Sequence, residues 1–483
     1  SGATLAIYDG DTQIKQWNTD EGMIELKAEL EPGKTYTLKE IKPAPGYAFA
    51  NDMKFTVSTD GTLDKVIMVD KYTQVIIKKV DETGKTIAGA KLQILDSEKN
   101  PVKAIRTDKN FKAGEDMIFT SSVNGTDITG QLDANTTYYL REIEAPNGYY
   151  KVGEDESFTT NRDSEIKVVI MKDDTIKYAV HKKDLTSAEE VAGATISIKD
   201  KDGNVIDSWV SGTDGVYTEE DQTNGLIPNG NKVGDLKPHE IIGKLKNGET
   251  YTLHEEAAPK GYYYTLDVSF TVSETKPEDD GVVIVKGIVH EIIQDEKTRE
   301  SFKKTDFTTS NEVPGAHIQI KDKDGNIIEE WTSTDKEHVI EGKLEAGKTY
   351  IMHEEGAPDG YHYAEDIEFT VPTNKEDQII HEMKDRPTHI QLIKSDITTG
   401  EQVIGAHIEI RDLDGNVLYT WVSDGTAHDL TGILNSDTSY IMHEEGAPNG
   451  YHYTADIKFY VPKDYKGIVK VKMEDHATDI WIS

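Results

Sequence analysis

Five short segments of this chain run from apolar residues into an aspartate: VIMVD at Asp70, VIMKD at Asp173, EIIQD at Asp295, HEMKD at Asp385 and VKMED at Asp475. Nine residues beyond each of the first four stands a lysine that opens a K-x-D step: Lys79, Lys182, Lys304 and Lys394. A third ionisable residue recurs in HEEGAPDGY from His353 and HEEGAPNGY from His443, with looser copies at Lys39, Arg141 and His254. It supplies Glu40, Glu142, Glu255, Glu354 and Glu444, each seven residues before a tyrosine. An amine and a carboxyl can condense to an amide with loss of water. A second carboxyl beside them can polarise the first and shuttle protons.

That chemistry needs an apolar setting, and the spacing supplies one. Period-two alternation puts every second residue of a strand on one face. Val75 and Ile77 share a face with Lys79, as do Tyr178 and Val180 with Lys182, and Ile390 and Leu392 with Lys394. Val66 and Met68 lie with Asp70, Val169 and Met171 with Asp173, and Met383 with Asp385. Tyr350 and Met352 lie with Glu354, and Tyr and Leu or Met precede the other four glutamates in the same way. Three charged residue types therefore point the apolar way. A lone buried charge is costly, so such groups pair, shift their pKa, or both. A desolvated lysine gives up its proton and becomes a nucleophile, while a desolvated carboxyl keeps its proton. An amide would be neutral and would remove the burial problem. The plainer reading is a buried ion pair with a supporting glutamate, at a desolvation cost.

The elements that carry these residues repeat five times. Each unit has a G-A step and an alternating strand: GATLAIYD at Gly2, GAKLQILD at Gly89, GATISIKD at Gly193, GAHIQIKD at Gly315 and GAHIEIRD at Gly405. A turn follows, then a strand that often carries Trp (Trp17, Trp209, Trp331, Trp421), then the glutamate motif and the closing segment. Short Val-, Ile-, Thr- and Tyr-rich runs between Asp-Gly and Asn-Gly turns predict antiparallel β-sandwiches in series. The third unit is the longest, with an insertion at residues 211–240 that predicts loops. Linkers are almost absent, which predicts a stiff linear string.

Composition narrows the function classes. The formal charge of −36 repels nucleic acid and anionic membrane. No apolar run approaches the length that spans a bilayer. Cysteine is absent, so covalent bracing, if present, is not a disulfide.

K-x-D, G-A with its alternating strand, E-x-x-A-P-x-G-Y and the closing M-x-D together resemble the B-type repeat domain of collagen-binding adhesins, found also in the SpaA-like major pilins of Gram-positive bacteria. The resemblance covers essentially the whole chain. It implies an all-β fold of tandem immunoglobulin-like, transthyretin-like sandwiches. It implies an autocatalytic amide, the isopeptide bond, between a first-strand Lys and a last-strand Asp, with a Glu as proton relay. Carried onto this sequence, the bonds are Lys79–Asp173 with Glu142, Lys182–Asp295 with Glu255, Lys304–Asp385 with Glu354, and Lys394–Asp475 with Glu444. Glu355 and Glu445, of opposite parity, fall to solvent. The units become 1–72, 73–175, 176–297, 298–387 and 388–477, with 478–483 beginning a further first strand.

Both ends depart from the pattern. Unit one has Glu40 and Asp70 but neither first strand nor lysine. HATDIWIS after Asp475 matches RPTHIQLI and stops where the lysine belongs. A window from a longer repeated chain explains both. Donation of this tail to the next molecule is the other reading.

The remaining signals are bland. DKDGN (Asp200, Asp322) and DLDGN (Asp412) open like calcium loops, yet a strand follows, so they predict turns. The histidines follow the repeat and predict no zinc site. In P-x-G-Y, glycine supplies backbone freedom and tyrosine is expected to cap the core. The sequence thus predicts a non-enzymatic structural stalk on a bacterial cell surface, without metal or cofactor, wall-anchored through regions outside this chain. Its expected partners are neighbouring repeats or the next subunit of a filament. Two alternatives stand beside it: recognition of a host matrix protein or glycan by the inserted loops, and a polymerised pilus shaft.

Overall fold

Period-two alternation does produce strands almost throughout. The computed structural model describes residues 2–377 and 379–482. They form two compact units, one of residues 1–182, 196–254 and 267–293, the other of residues 183–195, 255–266 and 294–483. The division passes through the third repeat.

The fourth repeat shows the common plan. A three-stranded sheet runs His338–Glu341, Arg299–Asp306, Ile380–Asp385, and a four-stranded sheet runs Ile327–Thr332, His317–Lys321, Thr349–Gly356, Ile367–Thr370. Between them lie Ile318, Ile320, Ile340, Leu344, Tyr350, Met352 and Met383, all buried. Each such side chain contributes about 1.5–3 kcal/mol when removed from water. The second and fifth repeats have the same two sheets. In the third repeat the first-strand sheet gains a fourth, two-residue strand, Ile284–Val285.

One expectation is corrected by the direction of pairing. The first and closing strands of a repeat pair in parallel, Gln74–Val80 with Ile166–Lys172, Arg299–Asp306 with Ile380–Asp385, and Ile390–Asp396 with Val469–Asp475. The sandwiches are therefore mixed rather than wholly antiparallel. Side-chain parity is the same in either direction, so the alternation alone could not reveal this.

Among the described residues the first repeat has no three-stranded sheet. Its four-stranded sheet runs Thr12–Asn18, Thr4–Asp9, Thr35–Lys42, Met53–Thr56. The expected closing strand VIMVD forms no strand, and Ile67 and Val69 are exposed. In the second, fourth and fifth repeats the closing strand is held by its parallel partner. Here, among the described residues, no first strand lies beside it. Its buried core is correspondingly small: Ile7, Tyr36 and Leu38.

The 211–240 insertion is not all loop. Glu219–Thr223 forms one helical turn, capped by a reciprocal pair of bonds between Thr218 and Asp221. His239–Ile242 is a strand paired to Lys177–Asp184. At the other end of the chain, Thr478 bonds Gly450, and the residues beyond it to Ile482 form no strand. Trp481 is 97% exposed.

Candidate functional site

The parallel register decides where lysine and aspartate meet. In the fourth repeat Lys304 lies opposite Met383 and Asp306 opposite Asp385. In the fifth, Lys394 lies opposite Met473 and Asp396 opposite Asp475. In the second, Lys79 lies opposite Met171, two residues before Asp173. Lysine and closing aspartate thus sit diagonally on the inner face of one sheet, two residues apart along neighbouring strands. Lys79 pairs with Asp173, Lys304 with Asp385 and Lys394 with Asp475.

The glutamate comes from the facing sheet. Glu142, Glu354 and Glu444 lie on strands paired with Leu92, Ile318 and Ile408 of their G-A strands. Their Oε1 atoms are 3.0, 3.0 and 2.8 Å from Lys79, Lys304 and Lys394 Nζ. The other oxygen is fixed by a backbone N–H ten residues on. Val152, Ala364 and Thr454 donate to Oε2 of Glu142, Glu354 and Glu444 at 2.7, 2.6 and 2.8 Å. Glu40 and Glu255 accept from Ala50 and Thr265 at 2.7 and 2.9 Å. One oxygen is therefore anchored and the other aimed, which fixes the rotamer before any chemistry begins.

Burial at these points is nearly complete: Lys79, Lys304 and Lys394 are 0, 3 and 0% exposed, and Asp173, Asp385 and Asp475 all 0%. Burial pushes the Asp173 carboxyl up to about 7; the Lys79 ammonium opposes this and the Glu142 carboxyl adds to it. Burial raises Asp385 in the same way, against Lys304 and with Glu354. Asp385 Oδ2 and Asp475 Oδ2 have no hydrogen-bond partner among the described residues. Such oxygens are costly to keep as carboxylates.

In the third repeat Lys182, Glu255 and Asp295 are each buried. In the first, Glu40 and Asp70 are brought together, and among the described residues no lysine forms an ion pair with either. Burial raises the Glu40 carboxyl, and the neighbouring Asp70 raises it further. Glu355 is exposed and contacts His353, whose Nδ1 bonds Asp366 at 2.7 Å on the outer face.

Other motifs resolve into structure. Asp322 Oδ1 accepts from the backbone of Asp324 and Asn326 at 2.9 and 2.8 Å, so its carboxylate closes its own turn. The P-x-G-Y tyrosine does not cap the core. Tyr361 is half-buried and donates to Asp306 Oδ2 at 2.9 Å, and Tyr262 likewise to Asp184. The phenol is thus tied to the aspartate of K-x-D, two residues past the lysine. Two contributions escaped the sequence reading. The N–H that anchors each glutamate had a signal, its constant spacing of ten. Thr454, whose hydroxyl lies 2.7 Å from Asp475 Oδ1, had none, since Ala364 holds its place in the fourth repeat.

The family described as SpaA, prealbumin-like fold domain, matches residues 1–72, 73–175, 176–283, 299–387 and 388–477. This chain belongs to the SpaA prealbumin-like family. The SpaA matches leave residues 284–298 uncovered, and Asp295 lies there. Solved structures similar to this chain include the Bacillus anthracis TIE protein, 14% identical with a TM-score of 0.32, over 83% of this chain and 73% of that one. Shaft pilin SpaA from Lactobacillus rhamnosus GG is 15% identical with a TM-score of 0.22, over 38% of this chain and 99% of its own. BcpA, the major pilin subunit of Bacillus cereus, is 15% identical with a TM-score of 0.23, over 63% and 99%. No curated protein matches. Among the described residues no helix is long and apolar enough to cross a membrane.

Proposed function

We propose that this chain is a load-bearing segment of an extracellular stalk or filament on a bacterial cell surface. In this reading its five SpaA-type domains, 1–72, 73–175, 176–297, 298–387 and 388–477, stand in series, and four of them are braced by Lys–Asp amides. The observation that carries the reading is the meeting of lysine, aspartate and glutamate at one buried point between first and closing strands, in three repeats.

In the fourth repeat the chemistry runs as follows. The neutral Lys304 amine attacks Cγ of the protonated Asp385 carboxyl. A C–N bond forms, a C–O bond breaks, and the hydroxyl leaves as water. Glu354, 3.0 Å from the amine, takes the proton the nitrogen loses and delivers it to the departing oxygen, ending as it began. The apolar walls favour the neutral reactants and the neutral product over the ion pair. The same roles fall to Lys79, Asp173 and Glu142, to Lys394, Asp475 and Glu444, and to Lys182, Asp295 and Glu255.

The amide would join the two strands that enter and leave each domain. Tension would then pass from strand to strand covalently, and the intervening chain would carry none. Pulling the chain from both ends tests this. Lys304 and Asp385 are 81 residues apart. Unfolding an unlinked repeat would release roughly 270–290 Å of extended chain. The native fourth repeat should show no such step, and Glu354→Ala should restore it. Steps of that length from every native repeat would reject the load-bearing role. The partners that suit such a segment are further domains of the same class.

A further inference from the structure

The A-P-x-G-Y turn performs a second task that the proton relay does not use. At four places within the two units this turn, written P-A-P-G-Y at Gly46, is buried against the following repeat. Gly46, Gly148, Gly261 and Gly360 all have positive φ, from 78 to 89°. A Cβ added to any of them would lie 2.2–2.4 Å from a backbone carbonyl oxygen of the next repeat, that of Gly130, Gly243, Gly342 or Gly432. Only glycine permits that approach. In the fourth repeat the residue after the tyrosine shows the depth of the contact: His362 is buried, with Nδ1 2.9 Å from the Pro462 carbonyl oxygen.

The backbone bonds of the contact repeat with little variation. The N–H two past the tyrosine donates to the next repeat: Phe49 to Arg162, Lys151 to Glu274, Tyr264 to Thr373 and Tyr363 to Lys463, at 2.9, 2.9, 2.9 and 3.0 Å. The carbonyl of each turn glycine accepts from the residue three past the closing aspartate, Thr73, Ile176, Thr298 or Thr388, at 2.8–3.1 Å. That residue's own carbonyl then accepts from Gly130, Gly243, Gly342 or Gly432, at 2.8–2.9 Å. Where it is threonine, its hydroxyl lies 2.6 Å from the carbonyl of Leu132, Leu344 or Leu434. Ile176 lacks the hydroxyl. There Glu82 receives both the N–H and the hydroxyl of Thr175 and pairs with Lys177. The fifth turn has the same backbone conformation, with Gly450 at φ 90° and bonded to Thr478, but Gly450, His452 and Tyr453 are exposed.

We propose that the A-P-x-G-Y turn, the residue three past the closing aspartate and the G-x-L segment form a joint, a surface whose partner is the next repeat of the same chain. The joint fixes one repeat against the next, separately from the lysine–aspartate site. Buried main-chain bonds on both sides of a glycine that tolerates no side chain leave it one geometry. The spacing D-x-x-T therefore links two devices: the aspartate closes a repeat, and the threonine pins it to its neighbour.

The test uses the full chain, which has no cysteine of its own. Spin labels at Asp335→Cys and Asp414→Cys, both exposed, report the separation of the fourth and fifth repeats. The joint predicts one narrow distance distribution. It predicts that Gly360→Ala, in which the added Cβ meets the Gly432 backbone, broadens the distribution at least twofold. Thr388→Val keeps the shape of the residue and removes only the hydroxyl, and should broaden it less. The mass lost as water should be the same in all three chains, which separates the joint from the covalent site. A broad distribution in the otherwise native chain would overturn the proposal, as would a Gly360→Ala distribution as narrow as the native one.

Discussion

Glu354 Oε1 lies 3.0 Å from Lys304 Nζ, while Oε2 of the same carboxyl accepts the Ala364 N–H at 2.6 Å. Lys304 is thereby held between Glu354 on one sheet and Asp385 on its own. A lysine needing only neutralisation is served by one carboxylate. Two carboxyls at one buried amine leave a proton to be placed, and this is what a condensation requires.

Removing that relay should remove one bond. Glu354→Ala is expected to retain one more water of mass than the native chain. The lost cross-link closes an 81-residue segment. By analogy with disulfides closing loops of that size it is worth about 4 kcal/mol. The fourth repeat should therefore melt lower by on the order of 20 °C, read by calorimetry. An unchanged mass would reject the relay role.

An unlinked repeat should also become sensitive to pH. In Glu142→Ala the Asp173 carboxyl remains, and burial, the largest cause of its shift, remains with it. Its folded pKa is raised, to about 7 with Glu142 in place, against 3.8 for an ordinary aspartate. The folded state then binds the proton more tightly than the unfolded state. Its contribution is fully present below about pH 4 and is lost as pH rises through about 7. Denaturant titration of this variant should show stability falling across that window by a few kcal/mol. The native second repeat, where the proposed amide would consume the carboxyl, should be flat there. A flat profile in the variant would show that Asp173 is ordinary.

The tyrosine hydroxyl makes a smaller prediction. Tyr361→Phe removes its bond to Asp306, two residues past Lys304. The cost should be about 1–2 kcal/mol, with the fourth-repeat amide still formed. A mass gain of one water would instead place the phenol in the chemistry.

Much of this site was legible because repetition and parity reinforce each other. Lys79, Asp173 and Glu142 each fall on an apolar face by counting in twos, and they do lie buried together. Parity is blind to strand direction, so the parallel pairing of Arg299–Asp306 with Ile380–Asp385 was not legible. A motif also does not reveal its second use. Gly360 read as a turn residue, and only its closeness to Gly432 shows why no side chain fits. In the first repeat VIMVD has the alternation of a strand, yet it forms none, since among the described residues no partner strand lies beside it. A strand is a property of two segments, and the composition of one cannot supply it.

The intact mass of the chain under denaturing conditions tests the central claim most directly. Ion pairs dissociate on unfolding, and amides do not. Four sites with lysine, glutamate and aspartate predict a mass below the sequence value by four waters. A mass equal to the sequence value would contradict the account and leave the buried lysines as ion pairs.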